Sequence, residues 1–251
     1  NLLIMFIALF LLASCSSNTD EQIQWNEKID TIVSNEIVDK AEIDLMAVIE
    51  ETIELTDPVD TSMSFFITSV NSWSWADFWG ISGADQYCQT LAENAWFTGK
   101  KWSAYLSASA TDTEEAINAR DRIWSGPWYN AKWELVAANV DDLHSNNNIN
   151  KQIGLSEKWE IVLGRWDEVN MHDILTGSTP EWMITWTWSD TTCSNWTSSS
   201  EGSAIVGHHD RMWLDDSDGA KSWNSSHPSR GCSLDNLKAT WWAGLIYCFA
   251  K

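Results

Sequence analysis

Two stretches of the sequence decide the fold: residues 83–95, GADQYCQTLAENA, and residues 245–249, LIYCF. Within the first stretch, small and apolar side chains follow helical spacing at Ala84, Tyr87, Cys88, Leu91 and Ala92. This spacing predicts an amphipathic helix. The second stretch is a short apolar run, which is typical of a buried strand. Each stretch contains one cysteine, so a predicted helix and a predicted C-terminal strand each offer a sulfur to the core.

Four cysteines follow the first 62 residues: Cys88, Cys193, Cys232 and Cys248. An even number in an exported chain indicates disulfides. Four cysteines allow three pairings, and spacing alone does not separate them. One pairing joins the helix to the strand through Cys88 and Cys248 and leaves the other two to close an inner loop. Loops of this length stabilise a domain by roughly 3–5 kcal/mol each when closed.

The N-terminus predicts export. Residues 1–14 read NLLIMFIALFLLAS and carry no charge, and Cys15 follows them. A short apolar run that ends in small residues is typical of a signal peptide and is too short to span a bilayer. Leu-Ala-Ser-Cys resembles the lipobox of bacterial lipoproteins, which implies a signal peptide over residues 1–14 and lipidation of Cys15 in the cell envelope. The alternative is an ordinary signal peptide. Because an initiator Met and a basic region are missing, we expect the sequence to be truncated at its start.

The segment that follows is acidic. Residues 16–62 contain 13 Asp and Glu against Lys28 and Lys40. A segment of this charge predicts a solvated, self-repelling linker over residues 15–62, between the anchor and a domain at residues 63–251. The alternative is an arm that binds cations.

Charge and composition exclude several classes of function. The 251 residues include 15 Lys and Arg against 36 Asp and Glu, which gives a net charge of −21. This balance argues against nucleic acid or an anionic membrane surface as a partner, because both require clustered basic side chains. The chain also holds 19 Trp and only 12 Gly, which reverses the usual abundance of the two residues.

A series of motifs runs through the predicted domain in a fixed order. They are residues 65–70 (FFITSV), 83–88 (GADQYC), 102–107 (WSAYLS), 118–123 (NARDRI), 126–131 (GPWYNA), 172–177 (HDILTG), 193–198 (CSNWTS), 207–211 (GHHDR), 222–232 (SWNSSHPSRGC) and 247–248 (YC). Together they resemble the endostatin-like branch of the C-type-lectin-like fold, as found in bacterial proteins labelled "lectin". The resemblance covers almost all of residues 63–251. It implies a loop-rich α+β fold with the nested disulfides Cys88–Cys248 and Cys193–Cys232.

The resemblance also bears on the tryptophan count. The family has glycine at 13 positions where this chain has Trp: 73, 75, 79, 96, 124, 133, 159, 166, 182, 188, 213, 241 and 242. Trp102, Trp128, Trp196 and Trp223 fall where the family also has Trp. Our hypothesis is that the source reads UGA as glycine, so that a translation with the wrong code produced these residues. It predicts that several of them lie at positive φ or in exposed turns. The alternative is a Trp-rich surface that stacks on sugar rings.

Polar and aromatic residues inside the motifs are candidates for a ligand surface. They are Arg120, Asp121, Trp128, Asn130, His172, Asp173, Asn195, Trp196, His208, His209, Asp210, Trp223, Asn224 and Arg230. Such side chains can hydrogen-bond hydroxyl groups, but a loop-rich fold also needs them for its own backbone.

Metal and catalytic signals are separate. Asp215, Asp216 and Asp218 are candidate Ca²⁺ ligands in an acidic loop that ends in glycine, and the alternative is a solvated turn. Ser225 stands where calcium-dependent lectins have a ligating Asp, and their Glu-Pro-Asn tripeptide is absent. His208-His209-Asp210 with Ser203 is the most enzyme-like cluster, although adjacent histidines normally point apart and the zinc site of endostatin is not matched.

The sequence therefore predicts a lipid-anchored, extracytoplasmic binding module for glycans or surface polymers. It is not expected to be an enzyme or to need a cofactor. The alternative is that Ca²⁺ binds the acidic loop. The alternatives are an enzyme built on a lectin-like fold and a structural lipoprotein of the envelope. A convergent His/Asp/Cys group with perturbed pKa values in a deep pocket would favour the enzyme, and a shallow polar surface with exposed aromatic faces would favour the binder.

Overall fold

The C-terminal strand organises the domain. The computed structural model describes residues 62–184, 189–239 and 242–251, which belong to one compact unit at residues 61–251. The predicted signal peptide, the predicted lipidation site Cys15 and nearly all of the predicted acidic linker lie outside the described residues, as do Trp188 and Trp241. Among the described residues, no helix is long and apolar enough to cross a membrane.

The described elements alternate short strands with short helices. In chain order they are β1 (Phe65–Ile67), α1 (Gly80–Asn94), β2 (Trp102–Ala104), α2 (Ala119–Arg122), β3 (Trp128–Tyr129), β4 (Leu135–Ala137), α3 (Val140–Ser145), β5 (Asp173–Leu175), α4 (Cys193–Trp196), β6 (Ile205–His208), β7 (His227–Pro228), α5 (Leu234–Lys238) and β8 (Trp242–Ala250). The architecture is mixed α+β with small sheets, few helices and two disulfides, as the sequence predicts.

Strand β8 pairs with three other strands. It is antiparallel to β1 and β2, which pair with nearly the same residues and so lie on opposite edges of β8. Nearer its start, β8 is parallel to β5. Strands β6 and β7 continue the sheet beyond β5, both antiparallel to their neighbours, while β3 and β4 form a separate ribbon. The predicted strand at residues 245–249 is thus the central strand of the domain.

Each face of β8 packs into its own apolar cluster, because side chains alternate across a strand. Ile246 and Cys248 join the cluster that contains Ala84, Cys88 and Ala92 of α1. Their neighbours Leu245, Tyr247 and Phe249 join a second cluster, which holds the buried aromatic rings of Tyr105, Trp128 and Trp223. The predicted helical face of residues 83–95 is therefore the one that covers the sheet.

Both disulfides follow the nested pairing. Cys88 of α1 is bonded to Cys248 of β8 across a separation of 160 residues. Cys193 is bonded to Cys232 across 39 residues. All four cysteines are fully buried in the cluster on the α1 side of the sheet, so the disulfides are part of the hydrophobic core.

Element α4 is a left-handed turn. Cys193, Ser194, Asn195 and Trp196 have φ between 48° and 66°, a conformation that non-glycine residues adopt singly and rarely in succession. The turn is held from outside: the Asn195 side chain accepts from Ser109 N at 2.7 Å and donates to Ser109 O at 2.9 Å. The Trp196 indole N–H donates to Ser107 O at 2.8 Å. These two candidate ligand residues therefore serve the fold.

Candidate functional site

Strand register brings a group of histidines and an aspartate together. The backbone of Asp173, the first residue of β5, lies opposite His208, the last residue of β6. One strand further, His227 of β7 lies opposite Val206. Val206 and His208 are two residues apart and therefore project from the same face of the sheet. His172, immediately before β5, completes the group, which we call the histidine cluster: His172, Asp173, His208 and His227.

The polar atoms of the histidine cluster lie very close together. Asp173 Oδ1 is 3.2 Å from His172 Nε2 and 3.2 Å from His208 Nε2. His208 Nε2 is also 3.2 Å from His227 Nε2, which in turn is 3.7 Å from Asp173 Oδ2. His172, Asp173 and His208 are fully buried. Among the described residues, no hydrogen bond with acceptable geometry reaches His172 Nε2 or either Asp173 carboxylate oxygen.

The opposite nitrogen of each imidazole has an oxygen partner. His172 Nδ1 lies 3.2 Å from Asp210 Oδ1, His208 Nδ1 lies 2.8 Å from Ala220 O, and His227 Nδ1 lies 3.1 Å from Pro228 O. Burial alone would raise the pKa of the Asp210 carboxyl. Hydrogen bonds from His172 and from the Arg165 backbone N–H outweigh burial and lower that pKa to about 2. Asp210 is therefore ionised and accepts from His172.

The Trp213 indole covers the cluster. Its ring is centred 4.9 Å from that of His208, 5.2 Å from His227 and 5.6 Å from His172. His172 and His208 are themselves stacked, with centroids 4.2 Å apart and planes 7° apart. Position 213 is one of the 13 positions where the resembling family has glycine, and a glycine there would remove this cover.

Two open clefts flank the acidic loop of residues 215–221. The first has a volume of about 410 Å³ and is lined by polar side chains that include Asp215, Ser226, His227 and Arg230, with Trp213 on its wall. It therefore lies next to the histidine cluster. The second, of about 460 Å³, is lined on the other side of the loop by Asn147, Arg211, Lys221 and Asn224, among others. Gly219 contributes to both clefts.

The aromatic candidates for ligand contact are buried. Trp128, Trp196 and Trp223 are at most 3% exposed. The Trp223 ring packs on Tyr105 and Tyr247, and Trp128 packs on Phe249. In this conformation these indole rings form part of the core and present no open face for a sugar.

Most of the polar candidates also bind their own backbone. Asn130 is buried and accepts from the N–H groups of Lys132 and Glu134 in a turn. Asn224 is buried and donates to Thr179 O at 3.2 Å. Arg120 and Asp121 lie in α2, where Arg120 reaches Asp141 at 3.8 Å. Arg230 differs because it is exposed and lines the first cleft.

The two adjacent histidines point apart, as predicted. His208 joins the cluster, whereas His209 Nε2 lies 3.4 Å from Leu163 O in a buried position, and burial lowers the His209 pKa to about 4. The Ser203 hydroxyl donates to Asp190 O at 2.8 Å. The segment His208-His209-Asp210 therefore contributes one residue to the cluster, while Asp210 supports it through His172.

The predicted calcium ligands do not converge on a common point. Asp215, Asp216 and Asp218 are all exposed, and Asp216 pairs with Lys221 at 2.7 Å. In the part of the chain that the structure describes, only His172, Asp173 and His208 form a group of three metal-ligating side chains whose ligand atoms lie within 4.8 Å of one another.

Sequence reasoning missed His227 and the covering role of Trp213. Both lie far along the chain from Asp173, and only the order β5-β6-β7 brings them to it. His172, Asp173 and His208 were candidates for a ligand surface, but no spacing in the sequence indicates that they converge. Comparison of the chain with family models and with curated proteins gives no match.

Proposed function

We propose that this chain is a lipid-anchored, extracytoplasmic binding module with a C-type-lectin-like domain, and that it recognises glycans or surface polymers in the first cleft. The observation that carries the proposal is the position of this cleft. The cleft is lined mainly by residues between Cys193 and Cys232. This region resembles the one that contains the long ligand-binding loop of calcium-dependent lectins.

The chemistry of the first cleft suits a polyhydroxylated ligand. The Asp215 carboxylate accepts hydrogen bonds, the Arg230 guanidinium donates them, and the hydroxyl groups of Ser217 and Ser226 can do both. A volume of about 410 Å³ lies within the range of sites for small ligands. Since the aromatic rings that the family shares are buried, recognition would depend on hydrogen bonds.

A glycan array on the exported chain tests this proposal, with and without Ca²⁺. We expect binding to a subset of glycans, and we expect Arg230→Gln and Asp215→Asn to weaken it about tenfold or more, since each removes a charged hydrogen-bonding group. Asp112→Asn changes an exposed carboxylate in a loop that does not line the cleft and should bind normally. Absence of binding to every glycan would refute the lectin proposal.

The histidine cluster favours a second candidate, an enzyme. A buried convergent His/Asp group beside a cleft is the arrangement expected for a reactive centre. His227 lines the cleft, whereas His172, Asp173 and His208 are buried under the Trp213 indole, so a substrate would need a path past that ring to reach them. Turnover of ester, amide or glycoside substrates that disappears in His208→Ala would establish this candidate, and binding without turnover would support the first.

A further inference from the structure

We propose that His172, Asp173, His208 and His227 bind a divalent transition-metal ion of the Zn²⁺ type through three imidazole Nε2 atoms and one carboxylate. This inference does not depend on glycan recognition. It concerns three of the five histidines in the chain, and it is separate from the acidic loop in which the sequence predicts calcium.

Three distances within the cluster match those between the ligands of a tetrahedral ion. Zn–N and Zn–O bonds of about 2.0–2.1 Å place neighbouring ligand atoms about 3.3 Å apart. In the cluster, Asp173 Oδ1 lies 3.2 Å from two imidazole nitrogens, and the third nitrogen lies 3.2 Å from one of these. The remaining contact, between His227 Nε2 and Asp173 Oδ2, is 3.7 Å. His172, Asp173 and His208 thus supply ligand atoms that all lie within 4.8 Å of one another. His227, next to His208, is the candidate for the fourth ligand and would close in on the ion.

The contacts of the Nδ1 atoms suit the imidazole tautomers that a metal requires. In the tautomers that make all three contacts hydrogen bonds, the Nδ1 atoms of His172, His208 and His227 donate to Asp210, Ala220 O and Pro228 O, because a carbonyl oxygen or a carboxylate can only accept. In the neutral rings each Nε2 therefore presents a lone pair. A histidine ligand that donates its other N–H to a carboxylate or a carbonyl is the usual outer support of a metal site.

Without a cation, this arrangement is electrostatically unfavourable. The lone pairs of His208 and His227 would face each other at 3.2 Å, next to a fully buried Asp173 carboxylate. An uncompensated buried carboxylate is strongly destabilising. A metal ion would place positive charge among these groups, and the stacked rings of His172 and His208 would turn so that both Nε2 lone pairs face it. Protons on the imidazole rings are the competing source of positive charge, and the experiment below separates the two.

The donor set selects the kind of metal. Three imidazoles and one carboxylate suit Zn²⁺ and similar first-row ions, whereas Ca²⁺ and Mg²⁺ prefer oxygen ligands throughout. The ion would lie beneath the Trp213 indole, whose ring is within 5.6 Å of all three imidazole rings.

Metal content and zinc titration test the site. The full chain is produced without a histidine tag and with Cys15→Ser, which removes the thiol outside the disulfides. It is then stripped of metal with EDTA and titrated with ZnCl₂ by calorimetry. We expect one equivalent of Zn²⁺ by elemental analysis and a rise in Tm on zinc addition, since an ion that binds only the folded state stabilises it. Co²⁺ should give the visible absorption of a tetrahedral site.

Variants identify the ligands. His227→Gln, His208→Ala and Asp173→Asn should each lower zinc affinity more than about 100-fold, because each removes a direct ligand. The His227 side chain is partly exposed, so the fold should tolerate its replacement. His209→Gln, which replaces a buried histidine that points away, and Asp216→Asn, in the acidic loop, should keep the wild-type affinity. If His208→Ala or Asp173→Asn fails to fold, the zinc affinity of His227→Gln tests the site instead, provided that its circular-dichroism spectrum is native.

Further outcomes bear on the proposal. Trp213→Gly should keep one equivalent of Zn²⁺ but release it to EDTA at least about tenfold faster, because the indole cover is gone. The proposal would be overturned if the wild-type chain binds less than one equivalent, or if binding survives in both His208→Ala and Asp173→Asn. Loss of binding in Asp216→Asn would assign the metal to the acidic loop instead.

Discussion

At the scale of single residues, tryptophan occupies positions whose backbone conformation favours glycine. Helix α1 ends with hydrogen bonds from Trp96 N to Glu93 O at 3.0 Å and from Phe97 N to Ala92 O at 2.9 Å. This pair is the Schellman motif, in which the residue at position 96 is left-handed and usually glycine. Trp96 has φ of 68° and is 88% exposed, so its side chain contributes little packing in return for the strain.

The same pattern recurs in turns along the chain. Of the 13 positions where the resembling family has glycine, the structure describes 11. Positive φ is found at seven of these 11: Trp75, Trp79, Trp96, Trp133, Trp159, Trp166 and Trp182. Several of these tryptophans occupy the fourth position of a hydrogen-bonded turn, where glycine is favoured. Trp133, for example, donates its backbone N–H to Asn130 O. Of the four tryptophans shared with the family, only Trp196, in the left-handed α4, has positive φ. The predicted backbone signature is confirmed, and the recoding of UGA as glycine is the proposal it supports.

Stability measurements can separate the two kinds of tryptophan. We expect Trp96→Gly and Trp133→Gly each to raise the free energy of unfolding by about 1 kcal/mol, because an L-residue pays roughly 1–2 kcal/mol for the left-handed conformation. The matched control Trp128→Gly should lower it by about 3–5 kcal/mol, because this ring is 1% exposed in the core. Urea unfolding of the three variants provides the comparison.

If Trp96→Gly and Trp133→Gly destabilise the domain as much as Trp128→Gly, these indoles have structural roles and the hypothesis is wrong. Peptide mass spectrometry of the native protein gives a direct answer. A tryptophan mass at positions 133 and 241 would also refute recoding, and a glycine mass would establish it.

At the scale of secondary-structure elements, β6 depends on a real glycine. A Cβ added at Gly207 would lie 1.8 Å from the backbone oxygen of Trp223. This close approach lets His208 N bond to Ser222 O at 2.8 Å, which fixes the residue that follows Gly207 in the histidine cluster. Glycine is thus required here for space, whereas the tryptophans above occupy positions that require glycine for its φ.

Gly207→Ala should therefore lower the free energy of unfolding by about 3 kcal/mol or more, since backbone atoms would have to move apart. Gly219→Ala is the matched control: its Cβ would meet only Ser226 O, at 3.8 Å, so a change within about 0.5 kcal/mol is expected. Chemical denaturation measures both. Equal changes in the free energy of unfolding for the two substitutions would show that the close contact between β6 and residues 222–224 does not require glycine at position 207.

The elements that sequence could predict are the long ones. Helix α1 and strand β8 have 15 and nine residues, enough for a helical period or an apolar run to be distinct. Strands β5 and β7 have three and two residues, too few for any period. The histidine cluster depends on the register between these short strands, and so its residues were recognised singly, as polar candidates, but not as one group.

The left-handed turn α4 was also beyond sequence reasoning. Nothing in Cys193-Ser194-Asn195-Trp196 requires positive φ, since none of these residues is glycine. The conformation is imposed by tertiary contacts, namely the disulfide to Cys232, the Asn195 bonds to Ser109 and the buried Trp196 ring. Polar residues in such motifs therefore indicate structural support as readily as ligand contact.

At the scale of the whole molecule, the two disulfides divide the stabilisation unequally. The Cys88–Cys248 bond joins residues separated by 160 positions and ties α1 to the central strand, whereas Cys193–Cys232 spans 39 positions. In the chain-entropy account, the stabilisation grows with the logarithm of loop length and amounts to about 5 kcal/mol for the longer loop and about 4 kcal/mol for the shorter.

Paired substitutions test this order. Cys88→Ala with Cys248→Ala should lower the free energy of unfolding by about 1 kcal/mol more than Cys193→Ala with Cys232→Ala, if loop closure is the main contribution. Both pairs remove buried sulfurs from the same core cluster, so the cost of the lost packing is matched. Denaturant unfolding of the two double variants measures the difference. The reverse order would mean that Cys193–Cys232 contributes chiefly by holding α4 in its left-handed conformation. In that case the Cys193–Cys232 variant should also lose the hydrogen bonds between Asn195 and Ser109, which faster hydrogen exchange of the Ser109 amide would report.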